Sequence, residues 1–165
     1  MKKIMLGLCT IFILLSSTGC SNKEANKGTN YLPNPIDSSW TDSDKTYELV
    51  GELSDFGLLA DKPILTGKEN TYTWLFWVGK EDEKDPLLGK TVELYAQNEK
   101  SEKKLFLSTG KIKALDRDDP QPPDSDSVLK YNSAFRLMTA GKWQIDSYVD
   151  KKLIGSVVVM VADKK

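Results

Sequence analysis

From residue 46 onward, apolar and polar residues alternate with period two in short runs, and no long stretch repeats its apolar residues at helical spacing. A strand sends successive side chains to opposite faces, so this alternation calls for sheets that each hide one face. Thr91 to Gln97 places Val92, Leu94 and Ala96 on one side and Glu93, Tyr95 and Gln97 on the other. Trp143 to Val149 does the same, with Trp143, Ile145, Ser147 and Val149 opposed to Gln144, Asp146 and Tyr148. Tyr72 to Val78 is aromatic on both faces: Tyr72, Trp74 and Phe76 point one way, Leu75 and Trp77 the other.

Further strands are predicted at Tyr47 to Leu53, Val128 to Met138 and Leu153 to Ala162, the last entered through a turn at Asp150, Lys151 and Lys152. Leu105 to Leu107 and Lys111 to Leu115, separated by Ser108, Thr109 and Gly110, read as a hairpin or as one bulged strand. The expectation is an all-β fold, an immunoglobulin-like antiparallel β-sandwich of about seven strands over residues 46–165. A domain of roughly 120 residues buries about two-thirds of its surface and needs no disulfide to be stable.

The amino terminus obeys another rule. Lys2 and Lys3 precede an apolar run from Ile4 to Leu15, too short for the roughly 20 residues that cross a bilayer and of the length of an export signal. Ser17, Thr18 and Gly19 then lead into Cys20, the arrangement of a lipoprotein cleavage site followed by its acylated cysteine. Residues 1–19 are read as a lipoprotein signal peptide and residues 20–45 as the lipidated cysteine and a flexible tether rich in Ser, Asn, Lys and Asp. A thiol is required at that position because it takes diacylglycerol as a thioether, and two acyl chains hold where one is marginal. The protein is therefore placed at the cell membrane, lipid-anchored and facing the extracytoplasmic side. The second cysteine, Cys9, leaves with the signal.

Composition narrows the chemistry. The 23 basic and 24 acidic residues nearly cancel, which argues against nucleic acid as a partner. Histidine is absent, so the usual general base of Ser and Cys nucleophiles is missing. No catalytic residue, metal ligand or cofactor is predicted.

Gly141-Lys142-Trp143-Gln144-Ile145-Asp146-Ser147-Tyr148-Val149, with Lys152 to Val159 after it, resembles the closing hairpin of Bacillus-type lipoproteins that carry a domain of unknown function. Tyr72-Thr73-Trp74-Leu75-Phe76-Trp77 is similar to the aromatic strand of that family, and Leu88-Gly89-Lys90-Thr91-Val92 to the opening of its next strand. The resemblance implies an extracytoplasmic, immunoglobulin-like sandwich on a lipid anchor and supplies no activity.

Three features invite a functional reading. Trp77, Tyr95 and Tyr148, all assigned to outward faces, are the candidate ligand patch, able to stack on a sugar ring or receive a peptide. Asp116, Asp118, Asp119, Asp124 and Asp126 bring many carboxylates together, but without the central Gly and terminal Glu of a calcium loop; a solvated acidic loop is the plainer account. The mixed-charge loop Lys80 to Asp85 serves solubility. The leading function is a non-catalytic binding module whose partner is a cell-envelope protein or glycan. The alternatives are a carboxylate-dependent envelope hydrolase and an accessory subunit that pairs through an edge strand. Metabolic labelling with a palmitate analogue tests the anchor: the wild type should incorporate label and remain with membranes, while Cys20→Ala should lose both properties.

Overall fold

A computed structural model describes residues 36–53, 55–78 and 87–164. The signal peptide, Cys20 with Ser17, Thr18 and Gly19, the tether up to residue 35 and the charged loop 80–85 lie outside the described residues. Eleven strands are present among the described residues: β1 Ser38–Asp42, β2 Lys45–Gly51, β3 Phe56–Leu59, β4 Ile64–Leu65, β5 Asn70–Trp77, β6 Thr91–Asn98, β7 Lys104–Lys111, β8 Lys113–Ala114, β9 Val128–Phe135, β10 Gly141–Val149 and β11 Lys152–Ala162. One 3-10 turn, Ser125–Ser127, precedes β9.

The strands form two sheets, one of six in the order β1-β2-β3-β5-β9-β8 and one of five in the order β4-β11-β10-β6-β7. Pairing is antiparallel except where β4 runs parallel to β11. Within these orders, β3-β5-β9-β8 opposes β11-β10-β6, the four-plus-three arrangement of an immunoglobulin-type sandwich. The all-β sandwich expected from the alternation is thus present, and β1, β2, β4 and β7 lie outside its four-plus-three frame.

The count of about seven is corrected to eleven among the described residues, for three physical reasons. β4 and β8 are two residues long, too short to show a period. β3 is buried at all four positions, so it carries no alternation. β1 falls inside the segment read as tether, where Trp40 is the only large apolar residue of the strand; it pairs with β2 across Ser43 and Asp44, whose φ values of 49° and 67° make the left-handed turn that suits a tight hairpin. The sheet therefore begins at Ser38 rather than after Lys45. Neither reading of the 105–115 region holds whole: residues 104–111 form one strand irregularly registered on β6 near Leu94 and Tyr95, and residues 113–114 then join the opposite sheet beside β9.

The core between the sheets is built from the predicted inward faces. Tyr72, Trp74 and Phe76 of β5 meet Val92, Leu94 and Ala96 of β6, Trp143 and Ile145 of β10, and Val157, Val159 and Val161 of β11. Trp74 stacks on Phe56 at 5.5 Å between centroids and donates its indole N–H to Ser133 Oγ at 2.7 Å, so a large ring is buried with its one donor satisfied. The outer face of the six-stranded sheet is covered as well. Leu49, Leu59, Leu75 and Val128 pack there with Trp40, and Tyr47, Trp77 and Leu115 lie at the margin of this second cluster.

Close approach of the sheets needs a glycine at 155. A Cβ there would stand 2.6 Å from side-chain atoms of Phe56 on β3, so the ring sits where any larger residue would put its first carbon. Gly155→Ala should cost about 1–3 kcal/mol by overpacking, read as a lowered urea midpoint at unchanged denaturant slope.

Candidate functional site

The two outward faces differ. That of the six-stranded sheet is occupied by the second apolar cluster and the 115–123 segment, whereas that of the five-stranded sheet carries aromatic rings beside an ordered polar group. Its interior strands β6 and β10 pair with Tyr95 opposite Asp146, Glu93 opposite Tyr148, and Gln97 opposite Gln144. Tyr95 and Tyr148, diagonal neighbours on this ladder, meet edge to face with centroids 5.8 Å apart. Phe106, opposite Tyr95 on β7, makes a second edge contact at 5.6 Å and is 56% exposed. Leu153, opposite Tyr148 on β11, is 49% exposed and extends the apolar row to a fourth strand.

Two of the three residues singled out in the sequence are thus brought together, and the third is not. Trp77 ends β5 in the opposite sheet, half-buried in the cluster with Trp40, Leu75 and Val128. The three-ring patch is corrected to Tyr95 and Tyr148 with Phe106. Parity along one strand shows which side a ring takes relative to its own sheet, but not which of two sheets that strand joins.

Asp146 is the unusual member of this face. It lies on the solvent side of β10, yet it is only 3% exposed. Its Oδ1 accepts from Gln144 Nε2 and from Ser156 Oγ, both at 2.7 Å, and its Oδ2 accepts from Lys104 Nζ at 2.6 Å. Burial alone would raise the carboxyl pKa, but the bonds from Gln144, Lys104 and Ser156 outweigh it and hold Asp146 below the ordinary carboxylate value. Lys104 is raised in turn, chiefly by its bond to Asp146 and then by Tyr148. Its ammonium donates to Tyr148 Oη at 3.2 Å and lies 5.5 Å from the ring centroid. Burial, reinforced by the Glu93 carboxylate, pushes the Tyr95 phenol up; its hydroxyl donates to Glu93 Oε2 at 3.2 Å. The carboxylate therefore orders the lysine, and the lysine orders the tyrosine.

Asp146 was legible only as an outward-facing acid, and Lys104 and Phe106 not at all, because their roles depend on β7 pairing with β6. A shallow depression of about 320 Å³ lies next to this group, lined by Gln97, Asn98, Glu99, Lys142, Gln144 and Val158.

The acidic segment has an internal partner. Lys130, on the outer side of β9 and 6% exposed, donates to Asp116 Oδ2 at 2.6 Å and to Asp119 Oδ2. Burial works against the ammonium, but the carboxylates of Asp116 and Asp119 overcome it and leave its pKa raised; Lys130 correspondingly holds Asp116 low. Among the described residues no group of three or more acidic, Cys or His side chains is placed to hold a metal ion.

No protein-family model matches the chain, and no curated protein matches it. Among solved structures, it is similar to a crystal structure described as that of a "putative lipoprotein" from Bacillus anthracis, at 18% identity and a TM-score of 0.49, over 82% of this chain and 88% of the other.

The lowered pKa values fix an acid dependence. A carboxyl whose folded value lies below its unfolded value of about 3.9 contributes stability that is complete above that pH and is lost as pH falls through the folded value. Stability should therefore decline below about pH 4 as Asp146 and Asp116 take up protons. Asp146→Asn should lower the pH 7 stability by about 1–3 kcal/mol and flatten the acid limb of a urea-midpoint profile.

Proposed function

We propose that this protein is a lipid-anchored, extracytoplasmic binding module that meets its ligand with the outer face of the five-stranded sheet. The anchor rests on the sequence Ser17-Thr18-Gly19-Cys20 behind a short apolar segment. The binding face rests on one observation: Tyr95, Tyr148 and Phe106 gather on the face that no other part of the described chain covers, beside a carboxylate and an ammonium already locked to each other. Rings held by such contacts offer apolar area with little rotamer freedom left to lose on binding.

Asp146 does not supply the general acid that a two-carboxylate hydrolase needs. Asp146 is the acid nearest the rings that is sheltered from water, and a general acid needs a raised pKa and a proton to give. Asp146 is instead held ionised with three donors on its two oxygens. A second reading, an accessory subunit joining by strand addition, draws support from β7: it is an eight-residue edge strand without proline, and its Leu105 and Phe106 are exposed.

A photoreactive phenylalanine analogue placed at Phe106 tests the binding face in intact cells, with the same group at Asn132, exposed on the opposite sheet, as the control. Adducts of higher mass should form from position 106, be absent from position 132, and fall about tenfold when Tyr148→Ala is added. Absence of adducts at 106, or equal yields from both positions, would refute the assignment of this face.

A further inference from the structure

Beside the aromatic row, the depression between β6 and β10 has a side-chain inventory that specifies a ligand class. Gln97 and Gln144 stand opposite each other on the ladder. Each commits its amide N–H group to a neighbour, Gln97 to the carbonyl oxygen of Ser101 at 3.0 Å and Gln144 to Asp146 Oδ1. The two amide carbonyl oxygens accept nothing from the described residues. Glu99 and Lys142, also on the lining, form no side-chain bond within the described chain and offer one negative and one positive group. Asn98, at the edge of the depression, turns its side chain to the buried face of β6, where its Oδ1 accepts from the backbone N–H of Lys100 at 3.0 Å, and it offers the depression no donor. Val158, half-buried opposite Gln144 on β11, is the apolar element of the wall.

Resting on the reading of this face as the binding surface, we infer that the depression is a subsite for an N-acetylated hexosamine of an uncharged glycan, with the neighbouring sugar rings lying along Tyr95 and Tyr148. An acetamido group matches the wall group by group: its N–H needs an acceptor, which Gln97 and Gln144 supply, its carbonyl oxygen needs a donor, which Lys142 supplies, and its methyl needs apolar surface, which Val158 supplies. Sugar rings present C–H faces that pack on aromatic side chains, and Tyr95 lies two residues, roughly 7 Å, along the strand from Gln97. The opposed charges of Glu99 and Lys142 cancel, which favours a ligand without net charge.

A peptide fits less well. β6 and β10 are interior strands whose backbone groups are already engaged on both sides, so an extended chain gains no main-chain bonds there and recognition falls to side chains alone. The volume of about 320 Å³ is at the small end of ligand sites, suited to one ring rather than a folded segment.

Calorimetric titration of the full-length protein in lipid nanodiscs tests the subsite with three probes: chitotetraose, cellotetraose, which lacks the acetamido groups, and a neutral tetrapeptide. Chitotetraose should bind at least tenfold more tightly than either of the others. Gln144→Ala and Lys142→Ala should each weaken it about tenfold, while Trp77→Ala should leave it unchanged. No heat from chitotetraose at about 10 mM, equal affinity for cellotetraose, preference for the tetrapeptide, or indifference to both subsite variants would each overturn the inference. If glycan binding fails while adducts from position 106 persist and depend on Tyr148, the face still binds and only the ligand class is wrong. If both fail, the reading of the face falls too.

Discussion

The strand Asn70–Trp77 is apolar on both sides, and neither side can be left in water. One side, with Tyr72, Trp74 and Phe76, is met by the five-stranded sheet. The other, with Leu75 and Trp77, is met by the hydrophobic side of the hairpin β1–β2 and by Leu115. The four strands added to the immunoglobulin-type frame follow partly from this demand: β1 and β2 extend the sheet that β5 belongs to and carry Trp40, Tyr47 and Leu49 into the second cluster. Covering both sides of one sheet leaves the outward side of the other to solvent. The asymmetry of the two surfaces is thus a consequence of where the aromatic strand had to go.

Two sheltered charges lie outside the central core, one on each sheet's outward side. Lys130 is closed over by Asp116 and Asp119, and Asp146 by Lys104, Gln144 and Ser156. A sheltered ion pair adds little net stability once desolvation is counted, so neither is explained by stability alone. Each instead selects an arrangement. Lys130 ties the segment after β8 down onto β9, and the backbone N–H of Gln121 in that segment donates to Asp42 Oδ2 at 3.0 Å, joining it to β1. Asp146 fixes Lys104 against Tyr148, so that the aromatic row and the amide-lined depression next to it hold one geometry. Preorganisation of this kind lowers the entropic cost of binding.

Much of the sandwich was legible in the sequence. Alternation along β6 and β10 named the inward residues Val92, Leu94, Ala96, Trp143, Ile145 and Val149, all of them buried. The assignment of Trp74 and Phe76 to the core side of β5 and of Trp77 to the other side followed from the same parity. What alternation could not reveal were strands too short or too thoroughly buried to alternate, as at β3, β4 and β8, or a strand such as β1 whose one large apolar residue stands among polar ones. The candidate site was half legible, since Tyr95 and Tyr148 were read as outward-facing while Phe106 and Lys104 lay in a region whose pairing was ambiguous.

The sequence by itself determined the all-β class, the composition of the interior and the side of its own strand that each ring takes, because these depend on a two-residue period that local geometry imposes. Only the tertiary structure decided which strands became neighbours, and with them the meeting of Tyr95 with Tyr148, the burial of Asp146 beneath an outward face and the removal of Trp77 to the opposite sheet. Those outcomes depend on pairing between segments tens of residues apart, and no local period encodes the partner.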